Sequence, residues 1–292
     1  MNSKQLQNLK KGLRREERKR LRKSRPRRGR LLLSATLLIL FLLLAVWLGR
    51  EPLARWQYSR AQRLFRQQQF SDAIGHLNWV TRLSSGKLNA QARLLTGDIL
   101  DLELKQPEQA ILAYLTLVRD FPRSPLAETA LRRAATVYLD RLDDPAGALP
   151  LLQRLADARV ADADTVRYRI ADSYFRLRNY EQARIEFETL LRLYPQTGRA
   201  AEAGYRIGIC LLLENRTAPA EKQLRDTAGR WPDDPFGLES LFALAGLYER
   251  RDELVRARDL LRALRGRYPD KDLLEHRLGQ VEDRIRRKKK AI

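Results

Sequence analysis

The sequence predicts an all-α chain: a solenoid of about six helical hairpins, closed by a capping helix and preceded by one transmembrane helix. Three observations predict it. A spaced motif recurs six times from about Trp56 onward, an uncharged apolar run covers Leu31 to Leu48, and a block of basic residues precedes that run. Hairpin arrays bury apolar surface against their neighbours instead of in one globular core, and they usually serve as binding scaffolds.

Residues 1–30 hold fourteen Lys or Arg against Glu16 and Glu17, so +12 of the chain's net +21 lies there. The remaining +9 is spread over helices rich in both Arg and Glu, so residues 50–292 are only mildly basic. Residues 31–49 read as a transmembrane signal-anchor helix. Leu31 to Leu48 is 18 residues without a charge, and at 1.5 Å per residue it reaches about 27 Å, close to the hydrocarbon thickness of a bilayer. Cations ahead of the run predict a cytoplasmic N-terminus. The expected localisation is therefore the inner membrane, single-pass, with the C-terminal repeats periplasmic. A cleaved signal is the competing reading, but the charged region is long, and Ala45-Val46-Trp47-Leu48-Gly49 sets bulky residues where cleavage needs small ones. Anionic lipid headgroups are the expected counter-charge for residues 1–30, where Leu6, Leu9 and Leu13 would suit a short interfacial helix. An acidic cytoplasmic partner such as ribosomal RNA is the alternative for that segment. Nucleic acid is not expected as a partner of the repeats.

Residues 50–270 carry the motif. It is a small residue, an aromatic or Leu three on, an Ala nine or ten later, and a bulky residue four further. The clearest copy is Ala171, Tyr174, Ala183 and Phe187. The others run Ala61, Leu64, Ala73, Leu77; Gly97, Leu100, Ala110, Tyr114; Ala135, Tyr138, Ala148, Leu152; Gly208, Leu211, Ala220, Leu224; and Ala245, Tyr248, Ala257, Leu261. Along Ala73, Ala110, Ala148, Ala183, Ala220 and Ala257 the steps are 37, 38, 35, 37 and 37 residues. Small residues let two antiparallel helices approach, and the bulky ones fill the seam with the next pair. Pro122, Pro195, Pro232 and Pro269 follow second helices and stop them, since proline lacks the N–H and clashes with the preceding turn. The copies that begin at Gly97 and Ala135 carry one extra residue before their second Ala.

These residues resemble the tetratricopeptide repeat family over roughly residues 52–270, with a period longer than the family's usual 34. Junctions such as Phe121-Pro122, Tyr194-Pro195 and Tyr268-Pro269 look like the envelope subgroup that includes the lipoprotein BamD and the C-terminal domain of YbgF. The single-span layout is similar to that of YfgM. The resemblance implies a right-handed superhelix whose groove is lined by first helices, in part by the residue three before each small Gly or Ala. Here that row is Tyr58, Leu94, Arg132, Tyr168, Tyr205 and Phe242. Its aromatics would suit an extended or helical peptide, or they pack within their own hairpins. Both readings stand at this point.

Residues 271–292 read as a capping helix with a basic tail, Leu273, Leu274, Leu278, Val281 and Ile285 covering the last repeat and Arg286 to Lys290 completing its C-terminus. Catalytic chemistry is not evident. His76 and His276 stand far apart without metal spacing, Cys210 has no partner for an intrachain disulfide, and no phosphate loop or nucleophile elbow occurs. Asp143-Asp144 and Asp233-Asp234 precede prolines in inter-helix turns and read as helix caps. The expected protein is not an enzyme and needs no cofactor or metal. It is expected to be a membrane-anchored scaffold that binds proteins or peptides in the bacterial envelope and supports assembly, secretion or division. The alternatives are a translocon-associated holdase and a component handling anionic envelope polymers.

Overall fold

A computed structural model describes the backbone of residues 3–24, 26–158 and 160–290; the side chains of residues 3–5, 21–31, 33, 35, 42, 45 and 46 lie outside the description. Among the described residues it is all-α: α1 (Ser3–Ser24), α2 (Pro26–Arg66), α3 (Phe70–Leu83), α4 (Lys87–Asp98) with a π-helical turn at Ile99–Glu103, α5 (Pro107–Asp120), α6 (Pro125–Asp140), α7 (Pro145–Asp157), α8 (Ala163–Arg176), α9 (Tyr180–Leu193), α10 (Ala200–Leu213), α11 (Thr217–Arg230), α12 (Pro235–Arg250), α13 (Leu254–Ala263) and α14 (Lys271–Lys290). Residues 1–92 and 93–292 form two compact units.

In the first unit α3 folds back on the end of α2. Ala61, Ala73 and Leu77 close the crossing with at most a trace of exposure. Ser84 Oγ donates to Glu51 at 2.9 Å, and Arg50 donates to the Arg82 carbonyl at 3.2 Å, so the far end of α3 is tied to α2. The carbonyls at the C-terminus of α3 are capped by Asn89, whose Nδ2 donates to Thr81 and Ser84 at 2.9 and 2.6 Å.

The expected transmembrane helix over 31–49 is corrected here. Those residues are the middle of α2, a single 41-residue helix that continues through Pro52 into the first repeat. Among the described residues no helix is long and apolar enough to cross a membrane. The run sits at the short end of the roughly 17–25 residues a bilayer span needs, and Arg30 and Arg50 bound it closely. Leu31, Leu33, Ala35, Leu42, Ala45 and Val46, on which the expectation also rested, fall outside the described side chains. The single-pass inner-membrane localisation, with periplasmic repeats, falls with the span. So does the basis for contacts to lipid headgroups.

In the second unit the hairpins α6/α7, α8/α9, α10/α11 and α12/α13 follow one another, and each second helix packs on the next first helix. Every motif alanine is sealed: Ala110, Ala135, Ala148, Ala171, Ala183, Ala220, Ala245 and Ala257 are 0% exposed. Gly97 and Gly208 take the same place because a Cβ there would meet Tyr114 at 2.3 Å or Leu224 at 2.4 Å. The capping helix adds Leu274, Leu278 and Val281 to the cluster of Tyr248, Leu261 and Tyr268, with Ile285 at its margin. Leu273, expected on that face, is exposed.

The two copies with an extra residue absorb it at the end of the first helix. In the copy at Gly97, Leu104 N–H donates to Ile99 O at 3.0 Å, closing the π-helical turn. In the copy at Ala135 the same widened bond runs from Leu142 N–H to Val137 O at 3.2 Å. Widening one turn leaves the second helix in register, so the seam is preserved.

Candidate functional site

In the second unit the predicted row is carried by first helices: the part of α4 from Arg93 onward, α6, α8, α10 and α12. Their starts are fixed locally: Ser124 Oγ accepts from Leu126 N–H at the head of α6, and Asp234 Oδ1 accepts from Phe236 N–H at the head of α12. Asp144 likewise accepts from Gly147 N–H, so Asp144 and Asp234 act as the caps read from the sequence. Asp143 does not cap; it holds a left-handed turn with φ 50°.

Row members differ in how far they are occupied. Tyr168 is buried, its ring edge-on to Phe187 at 5.7 Å, its hydroxyl donating to Glu202 and its other face covered by Arg199 at 4.4 Å. Burial, followed by that carboxylate, pushes its phenol above the ordinary tyrosine range. Phe242 stacks on Tyr268 at 4.7 Å and lies under Arg277 at 4.4 Å. Tyr205 is half-buried beside Phe236, with ring centroids 5.9 Å apart. Leu94 and Arg132 are half-buried. Arg132 pairs with Asp162 and, at 3.0 Å, with Glu128. Tyr58 is half-buried on α2 and belongs to the other unit.

A second row was missed by the sequence reading. Two residues before the small position stand Arg133, Arg169 and Arg206, and in the cap Arg277 precedes Gly279 by the same offset. Each reaches back to the preceding first helix. Arg133 pairs with Asp98, Arg206 stands 3.9 Å from Asp172, and Arg169 donates to Thr136 Oγ1 at 2.9 Å. Arg277 donates to Glu249 at 2.7 Å and its guanidinium occupies the space a Cβ on Gly246 would take. Arg206 also lies over Phe175 at 4.9 Å, and its Nε is buried with no hydrogen-bond partner. The fixed offset was the available signal, but in one sequence a charge row reads first as solvated surface.

Beside Arg169 a cleft of about 210 Å³ opens between α6, α7 and α8. Arg132, Thr136, Asp162 and Arg169 form its polar walls, over Leu152 and Val166. No group of His, Cys, Asp and Glu among the described residues could hold a metal ion. His76 on α3 bonds to Gln57 and stands edge-on to Trp56, and His276 on α14 meets Gln280 at 3.4 Å. Cys210 is buried; desolvation, then the Glu214 carboxylate, push its thiol up to about 12. That makes it a packing group rather than a nucleophile.

Solved structures share this architecture. A tetratricopeptide repeat protein from Parabacteroides merdae ATCC 43184 is similar at 17% identity, over 82% of this chain and 90% of its own, with a TM-score of 0.50. A chain of the Naa15/Naa10 complex bound to HypK-THB is similar at 17% identity and a TM-score of 0.61, over 79% of this chain and 34% of that one. Identities this low show the fold alone. Comparison with the curated proteins gives no match. The tetratricopeptide repeat family matches residues 58–125, 132–197 and 168–235, and a second tetratricopeptide repeat description matches residues 239–271. With more than half of its length so matched and the motif alanines sealed in register, the chain belongs to the tetratricopeptide repeat family.

Proposed function

We propose that this chain is a protein-interaction scaffold that binds an extended or helical segment of a partner along the first-helix face of its second unit. One observation carries the reading: the first helices α4, α6 and α10 present half-buried Leu94, Arg132 and Tyr205, and the last two are held in place, Arg132 by an ion pair to Asp162 and Tyr205 by a ring contact to Phe236 of α12. Side chains fixed in advance lose little conformational entropy on binding, and aromatic and Arg residues supply most of the energy at protein interfaces. Tyr168 and Phe242 support the face from beneath, since their rings are engaged with Phe187 and Tyr268.

Peptides selected from a displayed library on the full chain test this. A photo-crosslinker at Tyr205 should capture them, whereas the same group at Leu112 or Val255, exposed on second helices α5 and α13, should not. Capture at Leu112 or Val255 with none at Tyr205 would move the binding surface to the second helices.

A further inference from the structure

For the three repeat arginines of the row, the position that receives the guanidinium is the residue after the small one, whereas Arg277 of the cap finds its carboxylate on Glu249. That position is Asp98 for Arg133 and Asp172 for Arg206, but Thr136 for Arg169. One rung therefore lacks its carboxylate. A guanidinium has five N–H donors, and Arg169 uses one on a neutral hydroxyl; among the described residues no Asp or Glu pairs with it. The two acids closest to the neighbouring cation, Asp162 and Glu128, are both engaged by Arg132. Asp172, one turn further along α8, faces Arg206. The cleft at Arg169 is thus a cationic recess with an apolar floor. Its volume of about 210 Å³ lies below the roughly 300–1,000 Å³ of small-molecule sites, which fits one side chain and not a cofactor.

We propose that this recess takes the carboxylate of an Asp or Glu side chain in the bound segment, so that the scaffold selects acidic peptides. Carboxylates suit the site because Arg presents parallel N–H groups that match the two oxygens. The Thr136 hydroxyl fixes the guanidinium without neutralising it. The proposal rests on the scaffold reading above and adds the chemistry of the ligand to it.

The test uses C-terminally amidated 12-residue peptides, so that side chains carry the only carboxylates, in sets identical except for Glu, Gln or Lys at each position. Binding to the full chain is read by fluorescence anisotropy. The native chain should prefer the Glu member by at least about tenfold at one position, the scale expected of a charge-assisted hydrogen bond. Arg169→Gln should abolish that preference while leaving the affinity for the Gln peptide unchanged, and Arg169→Lys should keep part of it. Thr136→Asp supplies the missing carboxylate from within and should also abolish it, with Arg169 still present and thermal melting unchanged or raised. Equal binding of Glu and Gln peptides by the native chain, or a preference that survives both variants, overturns the acidic site and leaves the scaffold standing. Binding of no peptide in any set overturns both.

Discussion

Gly229 and Gly237 stand on either side of the Trp231 turn under opposite constraints. At Gly237, the third residue of α12, a Cβ would lie 1.8 Å from the Trp231 carbonyl oxygen, a backbone atom that cannot swing aside. At Gly229, exposed in the last turn of α11, a Cβ would meet nothing within 4 Å. Neither glycine has a positive φ, so space alone separates them. Gly237→Ala should lower stability by about 1–3 kcal/mol, the cost of forcing a packed junction apart, and Gly229→Ala should raise it by up to about 1 kcal/mol through helix propensity. Urea melts of the two variants decide it. Shifts of the same sign would mean that the α11–α12 junction leaves room for a Cβ at Gly237.

Each first-to-second helix turn holds one residue in the left-handed region, Gln68, Lys105, Asp143, Arg178, Asn215 and Asp252, with φ from 50° to 62°. The geometry is a property of the hairpin, since the residue types have little in common. Asn and Asp tolerate it through local side-chain hydrogen bonds, but for Arg178 it costs about 1–2 kcal/mol. Part of that is regained by the lower chain entropy a non-glycine residue has when unfolded. Arg178→Gly should therefore raise stability by about 0.5–1 kcal/mol, and Asn215→Gly by less. A destabilised Arg178→Gly chain would show that this turn carries no such cost. At this scale the sequence was readable where packing dictates residue size: the sealed Ala73-to-Ala257 series and the glycines against Tyr114 and Leu224 follow directly from the motif. It was silent where backbone geometry is imposed by the turn, because Gln68, Lys105 and Arg178 carry no turn signal. The extra residue in two copies was countable, yet its place in a π-helical turn at Ile99–Glu103 was not. The apolar run of α2 misled because hydropathy alone does not distinguish a span from part of a longer helix. On the candidate face, the offset could name Tyr168, Tyr205 and Arg132 but not that Tyr168 is buried while the other two are half-buried, and Arg169 emerges only from its tertiary bond to Thr136.

Across the second unit, tyrosine hydroxyls tie the helices together through carboxylates, which makes the array sensitive to alkali. Tyr114 donates to Asp98 at 2.9 Å within its hairpin, and Tyr168 donates to Glu202 of the next one. Burial first, and then the partner carboxylate, raise both phenols well above the ordinary value of 10.0. The direction fixes the sign of the linkage. In the folded chain these groups stay neutral at a pH where the unfolded chain has released their protons, so their contribution is complete below pH 10 and is lost as pH rises above it. Each such group removes about 1.4 kcal/mol per pH unit in that range, so the pair should cost about 3 kcal/mol between pH 10.5 and 11.5. Repeats couple to their nearest neighbours, so loss at α5 and α8 should unfold the hairpins from α4 to α11 together. Urea melts followed by circular dichroism across pH 9 to 12 measure the slope. Tyr205 and Tyr268 are raised in the same direction by burial, so Tyr168→Phe removes one of several titrating groups and should flatten that slope by about a quarter to a third while lowering stability at neutral pH by about 1 kcal/mol for the lost bond. A slope that the Phe variant leaves unchanged would place the alkaline transition elsewhere, in the arginine–carboxylate pairs instead of the buried phenols.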